Sequence, residues 1–250
     1  MQCDVLTLFP ESIQTVMSQS IVKRAQEKGL LHLKIHNIRD YADGPHFNAD
    51  DTPYGGGEGM VMKAEPIFRA IDALRKDHQD LRIILPSPQG IPFTQRHAQT
   101  LSNESRRLVF ICGHYEGIDE RVRSTLFAEE ISVGDYVLTG GELPAMVMID
   151  AAVRLIPGVL GDPLSAQHDS FVDSLLDYPH YTRPNEVRGA TVPEILSSGN
   201  HEAIRLWRRK EALRNTLVKR PDLLNQQTLS EKDQRLLDEI LLEQSHSTSS

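Results

Sequence analysis

Residues 131–161 read ISVGDYVLTGGELPAMVMIDAAVRLIPGVLG. The apolar run at residues 131–138 predicts a β-strand, and the Gly-Gly pair at residues 140–141 predicts the turn that ends it. Residues 143–156 then predict a helix, with Pro144 in its first turn and a Pro-Gly pair directly after it. Because this helix is apolar on almost every side, we expect it to be buried.

The same order of strand, glycine-bearing turn and helix occurs upstream. Apolar runs at residues 3–9, 83–85 and 108–112 predict buried strands, and the sequences SPQG and CGHYEG follow the last two. Strands that alternate with helices are typical of an α/β domain with a mostly parallel sheet. Such sheets bind ligands at the carboxyl ends of their strands. Each turn alone is also compatible with a plain loop, but three together predict one shared pocket.

Composition limits the possible functions. The chain has 250 residues and a formal net charge of -8, from 27 Lys+Arg and 35 Asp+Glu. This balance argues against a general nucleic-acid coat protein, although it leaves room for a local basic patch. The two cysteines, Cys3 and Cys112, lie in or beside apolar runs, which predicts buried free thiols. The sequence shows no signal peptide and no apolar run of membrane-spanning length, so we expect a cytoplasmic protein without a membrane partner.

The pattern changes after residue 158, where a linker rich in Gly, Pro, Asp and Ser begins. From about residue 171 the sequence is polar and helical. We therefore predict an α/β domain at residues 1–160, a linker at residues 161–172 and a helical domain at residues 173–250 with a disordered tail.

Two segments of the first domain are candidates for chemistry. The loop DDTPYGGGEG at residues 50–59 carries four glycines, which suits either a flexible surface loop or close contact with an anionic group. It is not a P-loop, because no Gly-Lys-Ser/Thr follows. Arg154 is the only cation of its apolar helix, so it forms either a structural pair with Asp150 or a contact with developing negative charge.

Two later segments are also candidates. The linker sequence SAQHDS at residues 165–170 places Asp169 beside an imidazole, which suits proton transfer as well as a solvated linker. Residues 201–221 carry seven cations against two anions on one predicted helix. The helix face formed by Ala203, Leu206, Leu213 and Leu217 is expected to pack inward. The cations form either a solvated face or a set of phosphate contacts.

These motifs, in this order, closely resemble the bacterial tRNA (guanine-N1)-methyltransferase family. The resemblance runs nearly the whole chain, through LTLFPE, DDTPYGGGEGM, SPQG, ICGHYEGIDERV, the residue 131–161 stretch, HDSF, HYTRP, VPEILSSGNHEAIRLWRR and RPDLL. GHYEGIDERV and SVGDYVLTGGELPAM are the most specific motifs because both are long.

The resemblance implies an S-adenosylmethionine-dependent enzyme that methylates N1 of guanosine 37 in tRNA. It also implies a SPOUT-type α/β fold with a deep trefoil knot, a small all-helical C-terminal domain that binds tRNA, and an obligate homodimer with composite active sites. Mg²⁺ is implied as a stimulating ion, although the sequence contains no clear cluster of metal ligands. The rival interpretations are a non-catalytic RNA-binding protein on the same scaffold and a nucleotide-phosphate enzyme built on the GGGEG loop.

Matched to the family pattern, Asp169 is the general base and Arg154 stabilises charge at O6. The implied cofactor pocket consists of Pro86, Ser87, Pro88, Gly113, Tyr115, Glu116, Gly117, Ile131, Val133, Gly134, Tyr136, Leu138, Gly140, Gly141 and Pro144. The implied RNA contacts are Asp50, Gly55, Gly59, Ser165, His180, Arg183, Arg208 and Arg209. The chain departs from the pattern at His114 (Arg expected), at Glu58 (Pro expected) and in the loop at residues 44–49, which lacks a basic residue beside His46. These departures put details of tRNA contact in doubt.

Overall fold

The computed structural model describes residues 1–161, 169–225 and 229–247. The chain divides into two compact units, Met1–Pro163 and Leu164–Ser250. The division falls inside the segment predicted as a linker. Within the described residues, no helix has both the length and the apolar character needed to cross a membrane.

A five-stranded sheet forms the centre of the first unit. Its strands are β1 (Gln2–Thr7), β2 (His32–Asn37), β5 (Leu81–Pro92), β6 (Arg107–Ile111) and β7 (Glu129–Ser132), while β3 (Asp50–Asp51) and β4 (Val61–Met62) form a separate small ladder. The strand order is β2-β1-β6-β5-β7 and every pair in it is parallel. The predicted α/β class with a mostly parallel sheet is therefore confirmed.

Helices cover both faces of this sheet. They are α1 (Pro10–Met17), α2 (Ser20–Glu27), α3 (Ala64–Asp77), α4 (Gln95–Ser102), α5 (Glu120–Leu126) and α6 (Glu142–Val153). Because side chains alternate across a strand, Val5 of β1 packs into the core under α1, α2 and α6, whereas Leu6 packs into the core under α3 and α5. The sheet therefore lies between two apolar cores.

One buried position of β1 is charged. Asp4 is fully buried and accepts hydrogen bonds from Arg107, at 3.1 Å from Nη2, and from His36, at 2.7 Å from Nε2. Burial alone raises the pKa of Asp4, but the hydrogen bonds from His36 and Arg107 outweigh it and hold the pKa below its ordinary value. The carboxylate therefore stays ionised inside the sheet.

Two predicted boundaries are wrong. The strand predicted at residues 131–138 ends at Ser132, because Gly134 adopts a φ of +147° that a continuing strand cannot use. Residues 133–141 instead form a loop. Conversely, β5 continues through SPQG, and an irregularity between Pro86 and Ile91 lets both residues pair with Ile131.

The expectation that the apolar helix is buried on all sides is also wrong. Leu143 and Val147 of α6 are more than half exposed, at 55% and 53%. Asp150 is exposed on the same face, one turn further along. The remaining faces of α6 are buried against the sheet.

The second unit contains α7 (His201–Lys219), α8 (Pro221–Leu224), α9 (Glu231–Ser247) and a two-stranded hairpin, β8 (Glu186–Val187) with β9 (Ala190–Thr191). The expectation of an all-helical C-terminal domain is therefore wrong. Its small core consists of Leu175, Ala212, Leu213, Leu236 and Ile240. Leu206, predicted to face inward, is instead 40% exposed. The predicted disordered tail is helical as far as Ser247.

Candidate functional site

The carboxyl ends of β5, β6 and β7 surround a cavity of about 210 Å³, here called the sheet-edge cavity. All fifteen residues predicted for the cofactor pocket line it, so the three turns do meet at one place. Eight further residues line it: Leu85, Gln89, His114, Ile118, Arg123, Ser132, Val137 and Thr139. Six of these lie within the quoted motifs and could have been found by taking each motif whole; Leu85 and Arg123 lie outside the short turns.

Close backbone approach explains the glycine pair at residues 140–141. A Cβ on Gly141 would lie 2.9 Å from Cα of Cys112. A Cβ on Gly140 would lie 2.3 Å from Glu142 Oε2 and 2.6 Å from His114 Nδ1. No side chain fits either position without displacing its neighbours, so the loop after β7 can touch the loop after β6 only through glycine.

Hydrogen bonds between residues close in sequence shape the loop after β7. The Ser132 hydroxyl accepts from the amide of Gly134 and donates to its carbonyl, both at 3.1 Å. The Tyr136 hydroxyl donates to the carbonyl of Val133 at 3.1 Å. These bonds hold the phenol ring beside the cavity.

Arg123 on α5 fixes the SPQG segment. Its Nη1 donates to Gln89 Oε1 at 3.2 Å, and its Nε lies 3.7 Å from Glu130 of β7. The amide of Gln89 in turn donates to Ser87 Oγ at 3.2 Å. One cation thus joins three of the elements that surround the cavity.

Behind the cavity, α6 begins at Glu142, a residue that is only 7% exposed. Thr7 Oγ1 donates to Glu142 Oε1 at 2.7 Å, and His114 Nδ1 lies 3.9 Å from Oε2. Burial and the nearby Glu142 charge raise the pKa of the Cys112 thiol well above its usual range, so this thiol stays neutral. Sequence patterns do not single out Thr7 or Glu142, because the two residues in contact lie far apart in the sequence.

The GGGEG loop is attached to this cavity. A Cβ on Gly59 would lie 2.5 Å from Glu116 Oε1, so the cavity residue Glu116 packs directly against the loop. The amide of Met62 donates to the carbonyl of Gly117 at 2.9 Å. Asp50 is half-buried in β3 and Gly55 is exposed. Lys63 pairs with Asp51 at 3.2 Å, which argues against a phosphate-clamping lysine and hence against the nucleotide-phosphate interpretation.

The structure places the two predicted catalytic residues in different units. Arg154 is half-buried and follows the last residue of α6 as its C-cap. Asp169 belongs to the second unit, is half-buried and lines a cavity of about 680 Å³ there, here called the C-terminal cavity. Ser165 and His168 lie outside the described residues.

Most cations of the basic helix α7 are paired. Arg205 pairs with Glu202, Arg214 with Glu211 and Glu243, and Lys210 with Glu239 and Glu243. Arg209 Nε donates to Asp233 at 2.8 Å, and this hydrogen bond raises the pKa of the arginine and lowers that of the aspartate. The excess of cations in the sequence is thus largely offset by acidic residues of α9 and of α7 itself.

Two other predicted RNA contacts of this unit, Arg208 and Arg183, are more exposed than Arg209. The Arg208 guanidinium is exposed and lies 5.0 Å from the centre of the Tyr178 ring. His180 is exposed and pairs with Asp177 at 2.8 Å, and Arg183 is exposed. Arg208 and Arg183 are therefore better placed than Arg209 to meet a phosphate.

Within the residues that the structure describes, no group of three or more His, Cys, Asp or Glu side chains is arranged to hold a metal ion.

Comparison with known proteins gives a consistent result. The family model described as tRNA (Guanine-1)-methyltransferase TrmD matches residues 1–226. A tRNA (guanine-N(1)-)-methyltransferase of Dehalococcoides mccartyi is 56% identical over 245 residues, covering 98% of both chains. Proteins with the same name from Pelotomaculum thermopropionicum and Staphylococcus epidermidis are 54% and 56% identical, covering 96% and 95% of this chain and 96% of each relative. The chain belongs to the tRNA (guanine-1)-methyltransferase family.

Proposed function

We propose that this protein transfers the methyl group of S-adenosylmethionine to N1 of guanosine 37 in tRNA. Family membership and relatives that carry this activity in their names support a tRNA (guanine-N1)-methyltransferase. The observation that carries the finer proposal is the sheet-edge cavity, which gathers all fifteen residues expected to bind the donor.

The chemistry of this cavity fits such a donor. Ile131, Leu138 and Pro144 give it an apolar lining that suits an adenine ring. Because glycine has no side chain, the glycine-bearing turns allow the polar edge of that ring to approach the backbone closely. Glu116 supplies a carboxylate for a cationic ligand. When bound, S-adenosylmethionine supplies an activated methyl group on a sulfonium.

The remaining problem is the nucleophile, because N1 of guanine carries a proton at neutral pH. In this proposal Asp169 accepts that proton as the methyl group arrives. Arg154 faces O6 and stabilises the negative charge that moves there, a role for which its planar guanidinium is suited. Exclusion of water from the reaction when the base is bound would strengthen both contacts.

We also propose that the chain forms a trefoil knot at this cavity. β7 pairs with β5, so β5 lies between β7 and β6 in the sheet. The loop after β7 nevertheless reaches the end of β6, where His114 and Gly140 form a bridge. The chain after β7 thus crosses β5 to reach the loop after β6. This crossing supports the proposal, because a chain that passes through that loop forms a knot.

The exposed face of α6 supports a homodimer with composite active sites. Leu143 and Val147 lie one turn apart, and Val137 of the preceding loop is 85% exposed. Monomeric proteins rarely leave such an apolar patch in water. Because this patch adjoins residues that line the sheet-edge cavity, a partner bound there would contribute to the site.

The RNA contacts are proposed at Asp50, Gly55, Gly59, Ser165, His180, Arg183, Arg208 and Arg209. Arg208 is the best supported of the arginines on α7, since Arg209 is engaged by Asp233. The target guanine has to leave its stack to reach a cavity at the edge of the sheet.

The test is incubation of the protein with methyl-labelled S-adenosylmethionine and an unmodified tRNA transcript, followed by digestion and nucleoside analysis. We expect label in 1-methylguanosine, and no label when guanosine 37 of the transcript is replaced by adenosine. Label in another nucleoside, or equal label in the replaced transcript, would contradict the proposal.

A further inference from the structure

A closed circuit of four side-chain contacts lies behind the sheet-edge cavity. Thr7 Oγ1 donates to Glu142 Oε1 at 2.7 Å and accepts from the amide of Phe9 at 2.9 Å. The centres of the Phe9 and His114 rings are 4.7 Å apart. His114 Nδ1 lies 3.9 Å from Glu142 Oε2, which closes the circuit. The circuit joins the end of β1, the loop after β6 and the start of α6.

One contact of this circuit is incomplete. His114 Nδ1 is buried and has no hydrogen-bond partner among the residues that the structure describes. Its distance of 3.9 Å from Glu142 Oε2 is too long for a hydrogen bond but short enough for an ion pair. A neutral imidazole with a lone pair at Nδ1 would face the carboxylate oxygen unfavourably, whereas an imidazolium donates from both nitrogens. The contact is therefore strongest when His114 is protonated.

The other groups around the His114 ring are mostly uncharged. The Tyr115 ring meets it edge-on at 4.9 Å between centres, and Phe9 covers it at 4.7 Å. The amide of His114 donates to the thioether sulfur of Met62 at 3.1 Å. An apolar surrounding strengthens the attraction between an imidazolium and a nearby carboxylate, because little water screens it.

Two further charges lie near the circuit. The Arg39 guanidinium lies 5.7 Å from the centre of the Phe9 ring, so an aromatic side chain that contacts His114 also contacts a cation. Glu116, on the same loop as His114, packs against the GGGEG loop. The carboxylate that faces His114 is therefore that of Glu142.

The incomplete contact borders the wall of the cavity. His114 and Gly140 form a bridge between the loops after β6 and β7, and both line the sheet-edge cavity. A Cβ on Gly140 would lie 2.6 Å from His114 Nδ1 and 2.3 Å from Glu142 Oε2. Gly140 is thus packed against both partners. Attraction between His114 and Glu142 draws the loop after β6 towards the start of α6 around this glycine.

We propose that His114 is a positioning residue for the methyl donor, whose protonated ring pairs with Glu142 and holds the wall of the sheet-edge cavity together around Gly140. This inference rests on the proposed function. Histidine side chains ordinarily gain their charge as the pH falls from 8 to 5, so donor affinity should rise over that interval. His114 replaces the arginine of the family pattern, and arginine keeps its charge at every pH. The pH dependence is therefore a consequence of this substitution.

The test is calorimetric titration of S-adenosylmethionine into the full-length wild type, His114→Arg and His32→Asn between pH 5.5 and pH 8.5. His32 is the matched control, an exposed histidine of β2 that does not line the cavity. Because the amino group of the donor also titrates here, each affinity is compared with that of His114→Arg at the same pH. We expect the wild type and His32→Asn to match His114→Arg at pH 5.5. At pH 8.5 both should bind at least about fivefold more weakly than His114→Arg, the low end of coupling between two sites.

Glu142→Gln gives a second comparison that does not depend on His114→Arg. The amide can still accept from Thr7 but offers the imidazolium no charge, so the affinity of this variant should lose the rise that the wild type shows at low pH. Thermal unfolding without donor checks that each variant is folded.

The inference is overturned if the wild type keeps a constant affinity relative to His114→Arg, or if Glu142→Gln keeps the pH dependence of the wild type. If the wild type binds no S-adenosylmethionine at any pH, the donor site of the proposed function fails instead, so the two failures are distinguishable.

Discussion

The amide of Gly141 donates a hydrogen bond to the carbonyl of Gly113 at 2.8 Å, which joins the start of α6 to the end of β6. Residues at this junction line the sheet-edge cavity on both sides. The geometry of the cavity therefore depends on a contact that only two backbones can make.

Replacing Gly141 with alanine should disrupt this junction. The new methyl group would lie 2.9 Å from Cα of Cys112 and 3.0 Å from the amide nitrogen of Gly113, so backbone has to move. We expect Gly141→Ala to lower the affinity for S-adenosylmethionine at least about tenfold, a loss of about 1.4 kcal/mol. Calorimetric titration measures the affinity and thermal unfolding measures the accompanying loss of stability.

Gly161→Ala is the control, because no atom of the described part of the chain lies within 4 Å of a Cβ at that position. Wild-type affinity in Gly141→Ala would show that the junction does not set the geometry of the cavity.

The residues of the sheet-edge cavity were predictable because they lie in contiguous motifs at strand ends. Glu142 and Thr7 were not, because a hydrogen bond across 135 positions leaves no local pattern. The same limit applies to α7, because acidic residues that pair with its cations lie on α9, a separate helix later in the sequence. Local periodicity also misplaced the end of β7. The apolar sequence continues past Ser132, but the positive φ of Gly134 turns the backbone out of the strand and into a loop.

Asp169→Asn should strongly reduce methyl transfer without affecting donor binding. The amide keeps the shape of the side chain but cannot accept the proton, and general-base catalysis typically contributes 10²–10⁴-fold. We expect turnover to fall by roughly 10³-fold, measured as label transferred to tRNA under single-turnover conditions.

Asp238→Asn serves as the control for this measurement, since Asp238 is an exposed aspartate of the same unit. Substantial methylation by Asp169→Asn would remove this residue from the role of base.

Val147→Asp should separate the proposed homodimer. Val147 is 53% exposed on α6, and a buried unpaired carboxylate at an apolar interface is strongly unfavourable. Light scattering after size-exclusion chromatography should give the mass of two chains for the wild type and of one chain for the variant.

Val218→Asp provides the comparison, because Val218 is similarly exposed, at 63%, on α7. A wild type that elutes as a monomer, or equal dissociation by both variants, would contradict the assignment of the α6 face.

Asp4 should make the stability of the first unit sensitive to acid. Its pKa is lower in the folded protein than its ordinary value of 3.8, so its stabilising contribution is complete at neutral pH. That contribution is lost as the pH falls from about 4 through the lower folded-state pKa, because the carboxylate then takes up a proton. Asp4→Asn should lower the free energy of unfolding by about 3–5 kcal/mol at pH 7, since it leaves the buried Arg107 without its carboxylate partner.

Urea unfolding of both proteins between pH 7 and pH 2.5 checks this expectation. The difference in unfolding free energy should narrow below about pH 4. A difference that stays constant down to pH 2.5 would show that the ion pair does not link folding to pH. Asp43→Asn, which removes an exposed pair with Arg69, should show only a small difference throughout.

The most direct test of the central claim, that the three turns at the sheet edge form a methyl-donor site, is calorimetric titration of the wild type with S-adenosylmethionine and, separately, with ATP. We expect saturable binding of S-adenosylmethionine and no binding of ATP under the same conditions. Binding of ATP in place of S-adenosylmethionine, or no heat with either ligand, would contradict the claim.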